Sequence, residues 1–179
     1  MLTECSPTEM DFGRAGGRRV VADFDGGMVS SDAGALLLGE TDKAIGLTDR
    51  FSECFVDNRS PFFTVHPLRA LVAQRVFGLA LGYEDLNDHD QLRDDPVLGV
   101  LLGKLDRNED EPSALAGKST LNRLEHAPGA GKRPRYHKIS HDGAAIENLF
   151  VDLFLDAHRK PPHQIVLDVD ATDDPLHGD

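Results

Sequence analysis

The stretch Gln164-Ile-Val-Leu-Asp-Val-Asp-Ala-Thr-Asp-Asp-Pro-Leu-His-Gly178 decides how the rest of the chain is read. An apolar run arrives at Asp168 and Asp170, and a polar turn with Asp173 and Asp174 follows. As a buried strand it would point Ile165, Leu167 and Val169 to one face and Val166, Asp168 and Asp170 to the other. At a rise of ~3.3 Å per residue the two same-face carboxylates stand about 7 Å apart. Acids ending an apolar strand are costly to bury unless they meet a metal, a phosphate-bearing substrate or a partner. A strand that simply surfaces, with solvated acids in its turn, is the other reading. Before this stretch, Pro161-Pro162 breaks a helical pattern over about Gly143 to His158, whose apolar stripe is Ile146, Leu149, Phe150, Leu153, Phe154 and Ala157.

Working back towards the start, the chain reads as mainly helical. Ser119 to Glu125 is a short helix, and Asp95-Pro96 caps another over Val97 to Leu102. Tyr83 to Asp90 opens a polar helical segment, and His126 to Arg135 is irregular. Leu68, Leu71, Val72, Val76, Leu79 and Ala80 form one helical stripe that Gly82 ends. Arg69, Gln74 and Arg75 lie off it, facing solvent or a partner. Ser30 or Ser31 caps a helix to about Ala44 with Ala33, Leu36, Leu37 and Ala44 inward, and Gly46 stops it. Thr48 caps a shorter helix bearing Phe51, Cys54 and Phe55. Arg19 to Phe24 is a short strand that could pair with Ile165–Val169, and residues 1–17 are expected to be disordered.

Composition narrows the function. The 179 residues suffice for one domain, or one domain and part of another. Two cysteines, Cys5 and Cys54, argue against a disulfide framework and fit a reducing cytoplasm. No run approaches the ~20 apolar residues of a membrane span. A net charge of −12 opposes generic nucleic-acid binding. The charge is uneven, however. Glu84 to Glu111 holds ten acids against Arg93, Lys104 and Arg107, whereas Gly117 to Lys138 holds six bases against Glu125 alone. Those bases, Lys118, Arg123, Lys132, Arg133, Arg135 and Lys138, form a stripe able to meet a phosphate backbone, the alternative being a solvated loop.

Two motif-like strings carry little. Pro112 to Ser119 ends like a phosphate-binding loop but has Pro112 where glycine is needed and an acidic stretch before it. His137 and His141 are spaced like metalloprotease ligands, yet Lys138 stands where that chemistry requires glutamate. Asp168-Val-Asp-Ala-Thr172 is stronger, and resembles the strand-end motif of haloacid-dehalogenase phosphotransferases. That resemblance implies Asp168 as nucleophile and Asp170 as acid/base, with Asp23-Phe-Asp25 a weaker echo of the same motif. The family builds its domain after the motif, and only five residues follow Asp174.

Several strings together resemble the bacterial insertion-sequence transposases of the insertion-sequence 1380 group, in the DDE superfamily. They are Ser30-Ser-Asp-Ala-Gly-Ala-Leu-Leu-Leu38, Gln74-Arg-Val-Phe77, Gly82-Tyr-Glu-Asp-Leu-Asn-Asp88, Leu92-Arg-Asp-Asp-Pro96, Ser119-Thr-Leu-Asn-Arg-Leu-Glu125 and Val166 to Gly178. The resemblance implies a mostly α N-terminal region, 18–160, followed over 163–179 by the first strand of a ribonuclease-H-like α/β catalytic domain. It implies DNA as partner, through the element's terminal inverted repeats, and leaves room for a homo-oligomer. Two divalent ions, Mg²⁺ or Mn²⁺, would be held by two Asp and a Glu. The family's Asp-x-Thr falls on Asp170, with Asp168 the second choice. The second Asp and the Glu find no place before Asp179, so the expectation is an incomplete catalytic domain, inactive by itself. A non-catalytic DNA-binding or inhibitory module is a further alternative.

Overall fold

The computed structural model describes residues 9–15, 18–23, 30–104, 114–131 and 137–169. Strands β1 (Glu9–Ala15) and β2 (Arg18–Asp23) pair antiparallel, from Glu9 opposite Asp23 to Ala15 opposite Arg18. The register shifts between Asp11 and Arg14, where Gly13 takes φ 78°, the left-handed conformation that glycine adopts without Cβ strain. The disordered N-terminus expected for 1–17 therefore gives way to a strand over Glu9–Ala15. Polar composition misled, because β2 supplies the hydrogen-bond partners that an isolated polar segment lacks.

Helices α1 (Ala35–Ile45) and α2 (Leu47–Glu53) meet at Gly46, whose φ of 67° ends the first and begins the second. Gly46 thus stops α1 as expected. Thr48 does not cap α2; it is buried, and its hydroxyl donates to Asp42 Oδ2 at 2.6 Å while its N–H donates to Oδ1 at 2.8 Å. Strand β3 (Phe55–Asp57) leads through a 3₁₀ turn, Pro61–Phe63, into α3 (Leu68–Ala80). A second 3₁₀ turn, Leu86–Asp88, precedes α4 (His89–Leu92) and α5 (Pro96–Leu101). Asp95 caps α5, accepting from the N–H groups of Val97 and Leu98 at 2.9 Å each. Helix α6 (Lys118–Glu125), strand β4 (Ile139–His141) and helix α7 (Gly143–Asp156) complete the described chain.

Helix α3 is the axis of the packing. One cluster joins its Leu71 and Val72 to Ala116, Leu121, Leu124, Ala127 and Ile139. The other joins Ala73 and Phe77 to Leu92, Leu98 and Leu115. Apolar neighbours on two sides bury four consecutive residues, Leu71 to Gln74, which a single stripe cannot do. Gln74 is therefore inside, against the expectation that it faces solvent or a partner, and Leu79 of the expected stripe is exposed.

Two other expected faces fail in the same way. In α1 the buried residues are Ala35 and Gly39, while Leu36 and Leu37 are exposed. In α7 only Leu149 is buried, and Phe150 and Phe154 are exposed, because among the described elements α2 is the one that packs closely along it. The strand expected at Ile165–Val169 is not formed; these residues are irregular and their apolar side chains exposed. A strand needs a neighbour to satisfy its backbone groups, and the suggested one, β2, pairs with β1 instead. About half of the described residues are helical, with two small antiparallel pairings among them, which is compatible with part of an α/β domain.

Candidate nucleic-acid interface

Two of the expected basic residues, Arg123 and Lys138, come together with Arg59 through a non-local pairing. Strand β3 runs antiparallel to β4 with Asp57 opposite Ile139, and the Asn58 N–H donates to the Lys138 carbonyl at 2.8 Å. This sets the loop after β3 beside Lys138. Helix α6, packed on α3 through Leu121 and Leu124, brings Thr120 and Arg123 to the same place. The result is a cleft of about 470 Å³ lined by Arg59, Phe63, His66, Thr120, Arg123 and Lys138, among others.

Arg59 is the organiser of the cleft wall. Its Nε and Nη2 grip the Asp57 carboxylate at 2.7–3.0 Å, and Nη2 also donates to the His66 carbonyl at 3.1 Å. Two parallel N–H···O bonds give a planar, fixed pair. Partial burial raises the Asp57 carboxyl, but the hydrogen bonds and charge of Arg59 outweigh it, leaving the group below its ordinary value. His66 shows the local sign of the field. Burial holds its imidazole below the usual value, and Lys104, Arg93 and Arg59 push in the same direction. In a chain of net charge −12 this neighbourhood is positive.

The proposed stripe is thus divided. Arg123 and Lys138 share the cleft, both exposed and, among the described residues, without an ion pair. Lys118 stands elsewhere, with Nζ donating to Asn87 Oδ1 at 3.0 Å and lying 3.4 Å from Asp90. Lys132, Arg133 and Arg135 lie outside the described residues, as does Asp170. Asp168 is exposed in the irregular segment. It does not end a strand, so the strand-end geometry that both family resemblances expect is not formed around it. Among the described residues no group of His, Cys, Asp or Glu could hold a metal ion, so they do not by themselves fit the divalent-ion site that the transposase resemblance implies. Also among the described residues, no helix is long and apolar enough to cross a membrane.

Sequence reading missed Arg59 and Lys104. Arg59 lies in the short Asn58-Arg-Ser-Pro61 turn, apart from any run of bases, and Lys104 in an otherwise acidic segment. The signal was present as the basic–aromatic string Arg59-Ser-Pro-Phe-Phe63.

Residues 12–179 match the family described as Transposase DDE domain group 1, and the chain belongs to that family. No curated protein and no solved structure matches it.

Proposed function

We propose that this chain is an insertion-sequence transposase polypeptide of the insertion-sequence 1380 group that contacts the terminal inverted repeats of its element. The observation that carries the reading is the cleft where Arg59, Arg123 and Lys138 converge, in a chain whose family is that of DDE transposases. Phosphates are held by bases that release counterions, so an acidic protein can bind DNA only where its bases are gathered. Lys132, Arg133 and Arg135 extend the same stretch of sequence, and Lys118 borders it.

For the catalytic part, we assign Asp170 as the first acid of a ribonuclease-H-like active site, with Asp168 as second choice. The support is the Asp-x-Thr signature together with the family match. An acid in that role helps hold a divalent ion, Mg²⁺ or Mn²⁺, through hard carboxylate oxygens.

Fluorescence anisotropy with labelled inverted-repeat duplex across a salt series tests the DNA reading. Arg123→Ala with Lys138→Ala is expected to weaken binding and reduce the slope of log affinity against log salt by about 2 units, near 0.9 per lost phosphate contact. Unchanged affinity and slope in that double variant would remove the cleft from the interface. Asp170→Asn is expected to leave duplex binding as it was.

A further inference from the structure

Two large aromatic side chains stand in water on the turn that borders the basic cleft. Phe62 is 93 % exposed and Phe63 is 89 % exposed, and both lie on the 3₁₀ turn between β3 and α3. Phe63 itself lines the cleft with Arg59, Arg123 and Lys138. The turn that carries them is held from several directions. Arg59 ties Asp57 to the His66 carbonyl, the Phe63 N–H donates to the Ser60 carbonyl at 3.1 Å, and the Thr64 hydroxyl donates to the same carbonyl at 2.8 Å. Lys104 Nζ reaches the Val65 carbonyl at 3.3 Å. The rings are presented on a braced loop rather than a slack one.

Such a surface has a specific chemical complement. Exposed apolar rings gain by leaving water, and the groups around them decide what can cover them. Here those groups include the cations Arg123 and Lys138 beside the apolar Val65, which favours a partner carrying phosphates as well as flat apolar faces over the purely apolar face of another protein. Nucleic acid offers both parts when its bases are unpaired. Single-stranded sites combine a positively charged groove for the backbone with aromatic side chains on which bases stack. A blunt duplex keeps its base faces stacked on one another, and offers them to a ring only where a step is pried open.

We propose that Phe62 and Phe63 form a stacking platform for unpaired nucleotides of the DNA, while Arg123 and Lys138 hold the flanking phosphates and Arg59, paired with Asp57, braces the turn. This rests on the reading of the cleft as a DNA contact, and it adds a preference that reading does not contain. DNA with unpaired bases, such as a frayed or flapped end, binds more tightly than blunt duplex of the same length.

The test uses the 179-residue chain and two probes of equal length, a blunt duplex and a duplex with a short single-stranded flap carrying 2-aminopurine. Wild type is expected to prefer the flap and to quench its fluorescence. Phe62→Ala with Phe63→Ala is expected to lose at least about tenfold in affinity for the flapped probe, the scale of base–aromatic stacking, and to lose several-fold less for blunt duplex, so that the flap preference disappears. Phe62→Leu with Phe63→Leu, which stays apolar but lacks a π face, is expected to behave like the alanine variant. Equal affinity of wild type for both probes, or a flap preference that survives the alanine variant, overturns the platform. If the alanine variant instead changes the mass of the protein in solution, the rings belong to a protein contact and the proposal fails. Arg123→Ala with Lys138→Ala separates the two ideas, because loss of binding to both probes there sustains the cleft whatever the phenylalanines do.

Discussion

The side-chain amide of Gln74 meets the backbone of Ala116 from both sides, Nε2 donating to its carbonyl at 2.8 Å and Oε1 accepting from its N–H at 3.0 Å. All of these groups are buried, and α3 thereby holds the segment leading into α6 in the way a neighbouring strand would. The same bonds fix which end of the amide is nitrogen. Nε2 therefore also faces His89 Nδ1, at 3.3 Å, while Arg75 Nη1 lies 3.5 Å from His89 Nε2.

Gln74→Leu keeps the volume of the side chain and orphans both groups of Ala116. Buried unsatisfied donors and acceptors cost about 1–3 kcal/mol each, so a loss of at least about 2 kcal/mol is expected. Urea unfolding reads it as a lower midpoint with an unchanged slope.

His89 has donors opposite both ring nitrogens and is fully buried, so its neutral form is favoured. Burial and then Arg75 lower its pKa, against smaller opposing effects of Asp88, Glu125 and Asp90. His66 is lowered too, by burial and then by Lys104, Arg93 and Arg59. With folded values below the ordinary imidazole value of about 6.5, the unfolded chain binds protons first as pH falls. Stability is therefore complete above about pH 6.5 and declines as pH drops below it towards the folded-state values. Thermal unfolding between pH 7.5 and 5 should show the decline, and His89→Gln should flatten it in part, leaving the His66 share.

Gly78 packs against the same ring. A Cβ there would stand 2.8 Å from His89 Cε1 and 3.0 Å from Nε2, and the enclosed imidazole has no room to withdraw. Gly78→Ala, which would raise helix propensity on an exposed face, is expected here to destabilise by roughly 1–3 kcal/mol through overpacking. A raised melting temperature for this variant would contradict that account.

Asp57→Asn keeps the shape of the Asp57–Arg59 pair but removes its charge. Charge-assisted hydrogen bonds contribute about 1.5–3 kcal/mol, and this pair is half-buried, so a loss near the lower end, about 1.5 kcal/mol, is expected. The freed loop should be visible as faster amide exchange at Phe63 and Thr64, whose N–H groups bond back to Ser60 and Pro61. Unaltered exchange there would mean that the turn holds itself without Arg59.

Much of the local structure was legible because its hydrogen bonds are local. Asp95-Pro96 announces α5, Gly46 announces the end of α1, and the periodic apolar residues from Ile146 to Phe154 announce α7. Which face of each helix is covered was less legible. Leu36, Leu37, Phe150 and Phe154 have the spacing of core residues, but spacing says only that a stripe exists, and burial requires a neighbour placed against it. Gln74 is the converse case, a polar residue drawn inside because Ala116 satisfies its amide. The candidate site was half legible. Arg123 and Lys138 stood out as part of a charge excess, whereas Arg59 and Phe63 became partners of theirs only through the β3–β4 pairing.

The sequence by itself determined the family, since ordered motif strings from Ser30 to Gly178 are a property of the chain, and it determined the helices whose caps and stops lie within a few residues of each other. Only the tertiary structure decided that Glu9–Ala15, rather than Ile165–Val169, partners β2, that α3 is buried on two sides, and that Arg59, Arg123 and Lys138 meet in one cleft beside two exposed phenylalanines. The physical reason is the range of the forces involved. Caps, turns and periodicity are settled by neighbours along the chain, but burial and charge convergence depend on which distant backbone supplies the missing hydrogen bonds.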